Sequence, residues 1–181
     1  MTISYQKCGL SDISLIQETG RATYKPYYHQ MWDIGGVDWY MERCFGKEVL
    51  EIELGDPNIE YLIPRNEHGQ VIGILKLLLQ QSTPDNSVSN ALYLEKIYLM
   101  PEFFGKGIGQ MLIEQTCKKA VKLGREAIWL TVMQCGPVKA YERAGFHQIG
   151  EVYWDFELLK PKSRKGLMMA KTLVAMRNLS M

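Results

Sequence analysis

Long apolar runs are missing from this chain of 181 residues. No stretch reaches the roughly 20 apolar residues that a membrane-spanning helix needs, and nothing at the start resembles a signal peptide. Membrane insertion and secretion are therefore not expected. Paired cysteines are missing as well. Cys8, Cys44, Cys117 and Cys135 are scattered, as are His29, His68 and His147, so there is no disulfide framework and no zinc-ligand spacing. Free thiols in a reducing cytoplasm are the simplest expectation. A surplus of one charge sign is also absent. Lys and Arg total 21 against 20 for Asp and Glu, a net charge of +1, which excludes a general nucleic-acid binder with a basic face. The basic run Lys160-Pro161-Lys162-Ser163-Arg164-Lys165 reads as a solvated loop. What remains is ordinary globular composition, 46% hydrophobic and 23% charged, at a length suited to one domain with a real core.

The most informative feature present is Gly105-Lys106-Gly107-Ile108-Gly109. It joins a strand-like run, Leu92 to Leu99, to a helix-like run, Gln110 to Leu123. Three glycines in five residues let backbone N–H groups approach a ligand without Cβ interference. The helix that follows adds unpaired N–H groups and the positive end of its dipole. Such a junction suits phosphate, and Lys106 could add a charge at the rim. A Walker loop would need Lys and then Ser or Thr at its end, but Gln110-Met111 follow Gly109. A dinucleotide fingerprint needs Gly-x-Gly-x-x-Gly, and position 110 is Gln.

The surroundings of the loop carry a family resemblance. Leu94-Glu95-Lys96-Ile97-Tyr98-Leu99-Met100-Pro101-Glu102 resembles the fourth strand, and the turn after it, of the GNAT superfamily of acyl-CoA-dependent N-acyltransferases. Phe104 to Gly109 resembles its pyrophosphate loop and Ile128 to Val132 its fifth strand. Ala140-Tyr141-Glu142-Arg143-Ala144-Gly145-Phe146 resembles its short helix and Gly-Phe turn, and Gly166 to Leu173 its last strand. The Leu-Glu-x-Ile-Tyr-Leu strand is similar to that of the PaiA-like polyamine acetyltransferases within the superfamily. Two departures stand out: Phe104 sits where the family usually has Arg or Gln, and the connection Met133-Gln134-Cys135-Gly136 is short and lacks the family's Asn.

The rest of the chain can be divided by period and by turn signals. Ile3 to Lys7 reads as a strand, and Ser11 as the cap of a helix over Asp12 to about Thr23. Pro26 interrupts the aromatic stretch that follows, Lys25 to Trp32. Asp38 could cap a helix reaching Cys44 or Phe45, and another helical piece covers Lys47 to Leu54. Glu60 to Pro64 and Val71 to Gln80 read as two strands around the turn Asn66 to Gly69. Ser82 to Asn90 reads as a loop. Ile113, Cys117, Ala120 and Val121 share one helical face ending at Gly124. Ile149 to Leu159 and Leu167 to Leu173 close the pattern as strands. The element order implies one mixed α/β sheet covered by helices, a single domain over residues 1–181. The resemblance adds detail: a mostly antiparallel sheet whose fourth and fifth strands splay, with helices on both faces.

The resemblance also implies a reaction, acetyl transfer from acetyl-CoA to a primary amine by direct attack in a ternary complex. Coenzyme A would lie on Ile97, Tyr98, Leu99, Phe104, Gly105, Lys106, Gly107, Ile108, Gly109, Gln110 and Tyr141. Leu99 would offer its N–H to the thioester oxygen, Tyr141 a proton to the departing thiolate, and Glu95 a base for the amine. The acceptor site of such enzymes uses the first two helices and late loops. Tyr24, Tyr27, Tyr28, Trp32, Asp33, Asp38, Trp39 and Glu42, with Trp154 and Asp155 on a late strand, combine aromatic and acidic groups that suit a cationic amine. The expected partner is a small-molecule amine, a polyamine among the candidates, with nucleic acid, membrane and metal excluded and a homodimer left open. The same core serves protein Lys and N-terminal acetyltransferases, and would also serve a non-catalytic acyl-CoA sensor.

Overall fold

The computed structural model describes residues 2–173, so the domain expected over the whole chain is described except for residue 1 and residues 174–181. Seven strands form one sheet: β1 (Ser4–Lys7), β2 (Ile59–Arg65), β3 (Gly73–Leu78), β4 (Ala91–Leu99), β5 (Ala127–Met133), β6 (His147–Tyr153) and β7 (Lys165–Thr172). Their spatial order is β1-β2-β3-β4-β5-β7-β6. Every pairing is antiparallel except that of β4 with β5. Five helices cover the sheet: α1 (Ile13–Tyr28), α2 (Gly36–Phe45), α3 (Lys47–Gly55), α4 (Ile108–Lys122) and α5 (Val138–Arg143).

Alternation along the central strands divides the core in two. Leu62, Leu75, Leu77, Leu92 and Leu94 face one side and pack with Ile108, Leu112, Ile113 and Cys117 of α4. Tyr61, Ile63 and Ile74 face the other side and pack with Ile16, Tyr24, Met41, Phe45 and Leu50 of α1, α2 and α3. Helices therefore lie on both faces, as the resemblance implied. Among the described residues, no helix is long and apolar enough to cross a membrane. Nor do any three or more His, Cys, Asp or Glu side chains there gather as a metal site.

Four local expectations change. The second helix begins at Gly36 behind Gly35, so Asp38 lies in its first turn and does not cap it. The first helix does not stop near Thr23 but runs to Tyr28 with Pro26 inside it. An interior Pro costs about 3 kcal/mol, and here the continuation places Tyr24 in stacking contact with Tyr28 and Tyr40, at ring-centroid distances of 4.4 and 4.7 Å. Ser11 caps nothing. A short 3-10 turn, Leu10–Asp12, precedes α1, and the Asp12 carboxylate accepts the Gly9 N–H at 2.9 Å. The late strand ends at Tyr153 rather than Leu159. Beyond it the chain leaves β7 and bonds to the connection between α1 and α2: Asp33 N–H donates to Leu158 O at 2.9 Å, and Lys160 N–H to Met31 O at 3.0 Å. Trp154 and Asp155 are thus in a strap, not a strand.

Glu60 of β2 is only 7% exposed. It lies between Lys7 of β1 at 3.0 Å and Lys119 of α4 at 2.5 Å, tying an edge strand and a helix to the sheet. Burial pushes its carboxyl up, but the two ammonium groups outweigh that and hold it below the usual carboxylate range. Because the folded pKa lies below the unfolded one, the stability it adds is present above about pH 4.3 and is lost as pH falls through the folded pKa. Glu60→Gln should lower the melting temperature at pH 7 by a few degrees and flatten the acid limb of stability between roughly pH 5 and pH 3. Thermal unfolding followed by circular dichroism over that range checks this; parallel curves for the two proteins would contradict it.

Candidate active site

The site begins where β4 and β5 part. They pair only over Ala91–Tyr93 and Ala127–Trp129. The Tyr93 and Trp129 rings stack at 4.0 Å at the last pair, and the Tyr93 hydroxyl lies 3.1 Å from Thr131 Oγ1. Just beyond, Glu95 is an extra residue in β4: Leu94 faces Leu77 and Lys96 faces Lys76, leaving Glu95 without a partner on β3. A bulge of this kind bends its strand and increases the local twist, carrying β4 away from β5. On the β3 side Met100 N–H donates to Ile72 O at 2.8 Å. N–H groups alternate along a strand, so those of Leu99 and Ile97 face the opened side.

The glycine loop closes one end of this opening. Gly105 and Gly107 have φ of +71° and +75°, values that glycine adopts without strain. An added Cβ at either would meet no heavy atom within 4 Å, so both present bare backbone to open space. Helix α4 starts at Ile108, immediately after, with its first N–H groups and positive dipole end directed at the loop. A cavity of about 800 Å³ runs along this surface. Its wall includes Ile97, Tyr98, Leu99, Phe104, Gly105, Gly107, Ile108, Gly109, Gln110 and Tyr141. Lys106 is absent from that wall, and its ammonium lies 5.9 Å from the Phe103 ring centroid. Phe104 meets Tyr27 of α1 edge to face at 6.1 Å, so an aromatic pair lines the cavity at the position where the family usually has Arg or Gln. The bare loop, the helix terminus and the free edge of β4 fit a ligand combining a pyrophosphate with an extended, amide-containing arm. Coenzyme A has this form.

A second cavity, of about 250 Å³, lies on the α1–α2 side of the sheet. It is lined by Tyr24, Tyr28, Trp32, Tyr40, Arg43, Cys44, Tyr93 to Tyr98, Thr131 to Met133, Gly136, Pro137, Tyr141, Trp154 and Phe156. The two cavities share Tyr28, Ile97, Tyr98, Pro137 and Tyr141, so they meet through the gap between β4 and β5.

Glu95 lies in the second cavity within a compact charge network. Lys76 is 2.8 Å from one of its oxygens, Lys96 bonds the other, and Lys76 also pairs with Glu53 at 2.5 Å. The Tyr61 hydroxyl donates to Glu53. Burial pushes the Glu95 carboxyl up, yet Lys96 and Lys76 outweigh it and hold Glu95 below the usual carboxylate range. Tyr141, 8% exposed at the junction of the cavities, has its hydroxyl pKa raised by burial and stays protonated.

Of the acceptor residues expected from sequence, Tyr24, Tyr28, Trp32 and Trp154 line the second cavity, and Tyr27 lines the first. Asp33, Asp38, Trp39, Glu42 and Asp155 line neither. Asp38 pairs with Arg21 at 2.5 Å and Asp155 with Arg164 at 3.0 Å, both on the surface. Sequence reasoning missed Tyr40, Arg43, Thr131 and Phe156. A signal for the first two existed: positions 40, 43 and 44 share one face of α2, while 38, 39 and 42 share another.

Comparison with known proteins shows the family and the fold. The model of the Acetyltransferase (GNAT) family matches residues 19–146, and the chain belongs to that family. An uncharacterised N-acetyltransferase in the pepI 3' region of Lactobacillus delbrueckii subsp. lactis is 26% identical over 95 residues, 52% of this chain and 54% of that protein. The chain thus matches about half the length of that curated relative. The solved structure of PaiA N-acetyltransferase from Thermoplasma acidophilum in complex with coenzyme A is similar with a TM-score of 0.68 and 22% identity, covering 95% of this chain and 99% of that one. Spermidine/spermine N-acetyltransferase SpeG from Vibrio cholerae is similar with a TM-score of 0.68 and 18% identity, covering 99% of this chain and 97% of that one. At such identities the likeness shows a shared fold.

Gly107→Val should weaken coenzyme A binding at least tenfold by isothermal calorimetry. The β-branched side chain would occupy the bare face of the loop and strain its positive φ. Unchanged affinity in a folded variant would remove the loop from the binding site.

Proposed function

We propose that the protein transfers an acetyl group from acetyl-CoA to the primary amine of a small acceptor, by direct attack in a ternary complex. The observation that carries this reading is the junction of the two cavities at Ile97, Tyr98 and Tyr141. A thioester entering along the loop side and an amine entering from the aromatic side would meet there. When bound, acetyl-CoA supplies the activated acyl carbon and a thiolate leaving group. The loop amides from Gly105 to Gln110 hold the pyrophosphate. The Leu99 N–H, on the open side of β4, donates to the oxygen that gains negative charge, a contact that can be worth about 10²-fold in rate.

An alkylamine has a pKa near about 10.4, so at neutral pH roughly one molecule in a thousand or fewer is unprotonated. Glu95, ionised in its lysine network, accepts the surplus proton through water. Its lowered pKa makes it a weak base that stays available over the whole neutral range. Tyr141, held protonated by burial, donates to the departing sulfur, whose thiol has a reference pKa of about 8.5. Both structural neighbours are N-acetyltransferases, which supports an amine as the acceptor.

The reading is tested by thiol release with acetyl-CoA and a panel of amines, using the wild type and Tyr141→Phe. The variant should keep coenzyme A affinity within about threefold and lose about 10²-fold in kcat. Equal turnover by the two proteins would take the leaving-group role away from Tyr141. For Glu95→Gln, a loss of about 10²-fold in kcat/KM that shrinks as pH rises toward the pKa of the amine is expected, because the free amine then no longer needs a base. A pH-independent loss would assign Glu95 a structural role only.

A further inference from the structure

We propose that the acceptor is a monoamine carried on an aromatic ring, and that Arg43 is the residue that keeps polycations out of the acceptor cavity. This rests on the acetyl-transfer reading and names the acceptor class of the same site.

The wall of the cavity is aromatic to an unusual degree: nine of its twenty lining residues are Tyr, Trp or Phe. Tyr24 is sandwiched between Tyr28 and Tyr40, and Trp32 stacks on Phe156 with ring planes 13° apart. Such surfaces take a flat apolar body by offset or edge-to-face contact. The small volume suits one ring with a short arm better than a long extended chain.

The charges on the wall point the same way. Three charged residues line the cavity, Arg43, Glu95 and Lys96. The Glu95 carboxylate is already engaged by Lys96 and by Lys76 behind it, and the second carboxylate of that network, Glu53, is engaged by Lys76 and the Tyr61 hydroxyl. Arg43 has no carboxylate partner among the described residues. Its guanidinium lies 5.5 Å over Trp39 and 5.1 Å over Phe156. Phe156, the one of these two rings that lines the cavity, therefore already holds a cation. The nearby acids Asp38 and Asp155 pair with Arg21 and Arg164 and do not reach the cavity.

A polyamine reacts through one neutral nitrogen and must lodge its remaining ammonium groups somewhere. Here they would face Arg43 and Lys96 with no free carboxylate to receive them. A monoamine has a single nitrogen, which is neutral at the moment of attack, and brings only its ring to the aromatic wall.

The test compares phenethylamine, n-hexylamine and spermidine in the thiol-release assay with acetyl-CoA. The expected result is a kcat/KM for phenethylamine at least tenfold above both others. Equal or better use of spermidine would overturn the proposal while leaving acetyl transfer intact. Equal use of hexylamine would overturn the role of the ring. Arg43→Glu should move the spermidine-to-phenethylamine ratio of kcat/KM at least tenfold toward spermidine, and an unchanged ratio would overturn the role of Arg43. Quenching of tryptophan fluorescence by phenethylamine in the presence of coenzyme A reads binding without chemistry, since Trp32 and Trp154 line the cavity. Saturable quenching without thiol release would overturn acetyl transfer, and with it the acceptor role, while leaving the aromatic ring as the group the cavity binds. Neither quenching nor release would overturn the acceptor class itself.

Discussion

One unpaired residue in one strand organises this molecule. Glu95 has no partner on β3, and the strand bends there because the ladder must resume with Lys96. Up to Tyr93 the strands β4 and β5 are neighbours in an ordinary sheet, fastened by the stacked Tyr93 and Trp129 rings. Past Glu95 they diverge. The divergence leaves backbone N–H groups of Ile97 and Leu99 unpaired, which would be costly in a buried place without a ligand or water to receive them. It also opens the sheet from one face to the other, so that a cavity beside α4 and a cavity beside α2 become a single passage. The open edge of β4 and the meeting of the two cavities both follow from that one extra residue.

The bulge also brings two consecutive side chains, Glu95 and Lys96, into one charge network with Lys76 and Glu53. A lone buried carboxylate would be neutralised by protonation, since desolvation raises its pKa. Two lysines reverse that outcome and keep Glu95 ionised in a largely aromatic setting. The network has a second effect. Its charges compensate one another, so the cavity presents little net field except that of Arg43, which the Trp39 and Phe156 faces hold at the rim. The low charge of the wall and the ionised state of Glu95 thus have the same origin.

Much of this was legible in the sequence where local chemistry dictates structure. The glycine loop and the helix after it could be read because Gly105, Gly107 and Gly109 leave few alternatives between a strand and a helix. The turn Asn66 to Gly69 and the stop at Gly124 were legible for the same reason. The lining of the second cavity was not, because the candidate residues were chosen by type rather than by helical face. Trp39 and Glu42 look suited to bind an amine, but the α2 face turned to the cavity carries Tyr40, Arg43 and Cys44. The first helix was read as ending near Thr23, but it runs on to Tyr28, and the stacking of Tyr24 on Tyr40 of α2 is a tertiary contact that local pattern does not show. Phe156 was hidden in a segment whose alternation resembled a strand, while its backbone partners lie in the distant connection between α1 and α2. Bonds between segments so far apart leave no trace in local pattern.

That strap has a consequence for the order of assembly. Trp32 and Leu159 form a bridge across most of the length of the chain, and Trp154 and Phe156 complete a wall begun by Tyr24 and Tyr28 of the first helix. The loop from Gly105 to Gly109 and helix α4 draw on β2, β3 and β4, which precede them in the chain, and on β5, which follows directly. Contacts of large separation form late, because the closure entropy of the intervening chain must be overcome first. During synthesis the cavity beside the glycine loop therefore has most of its wall before the strap that closes the aromatic cavity emerges, and the two cavities are not both complete until the last strands have joined the sheet.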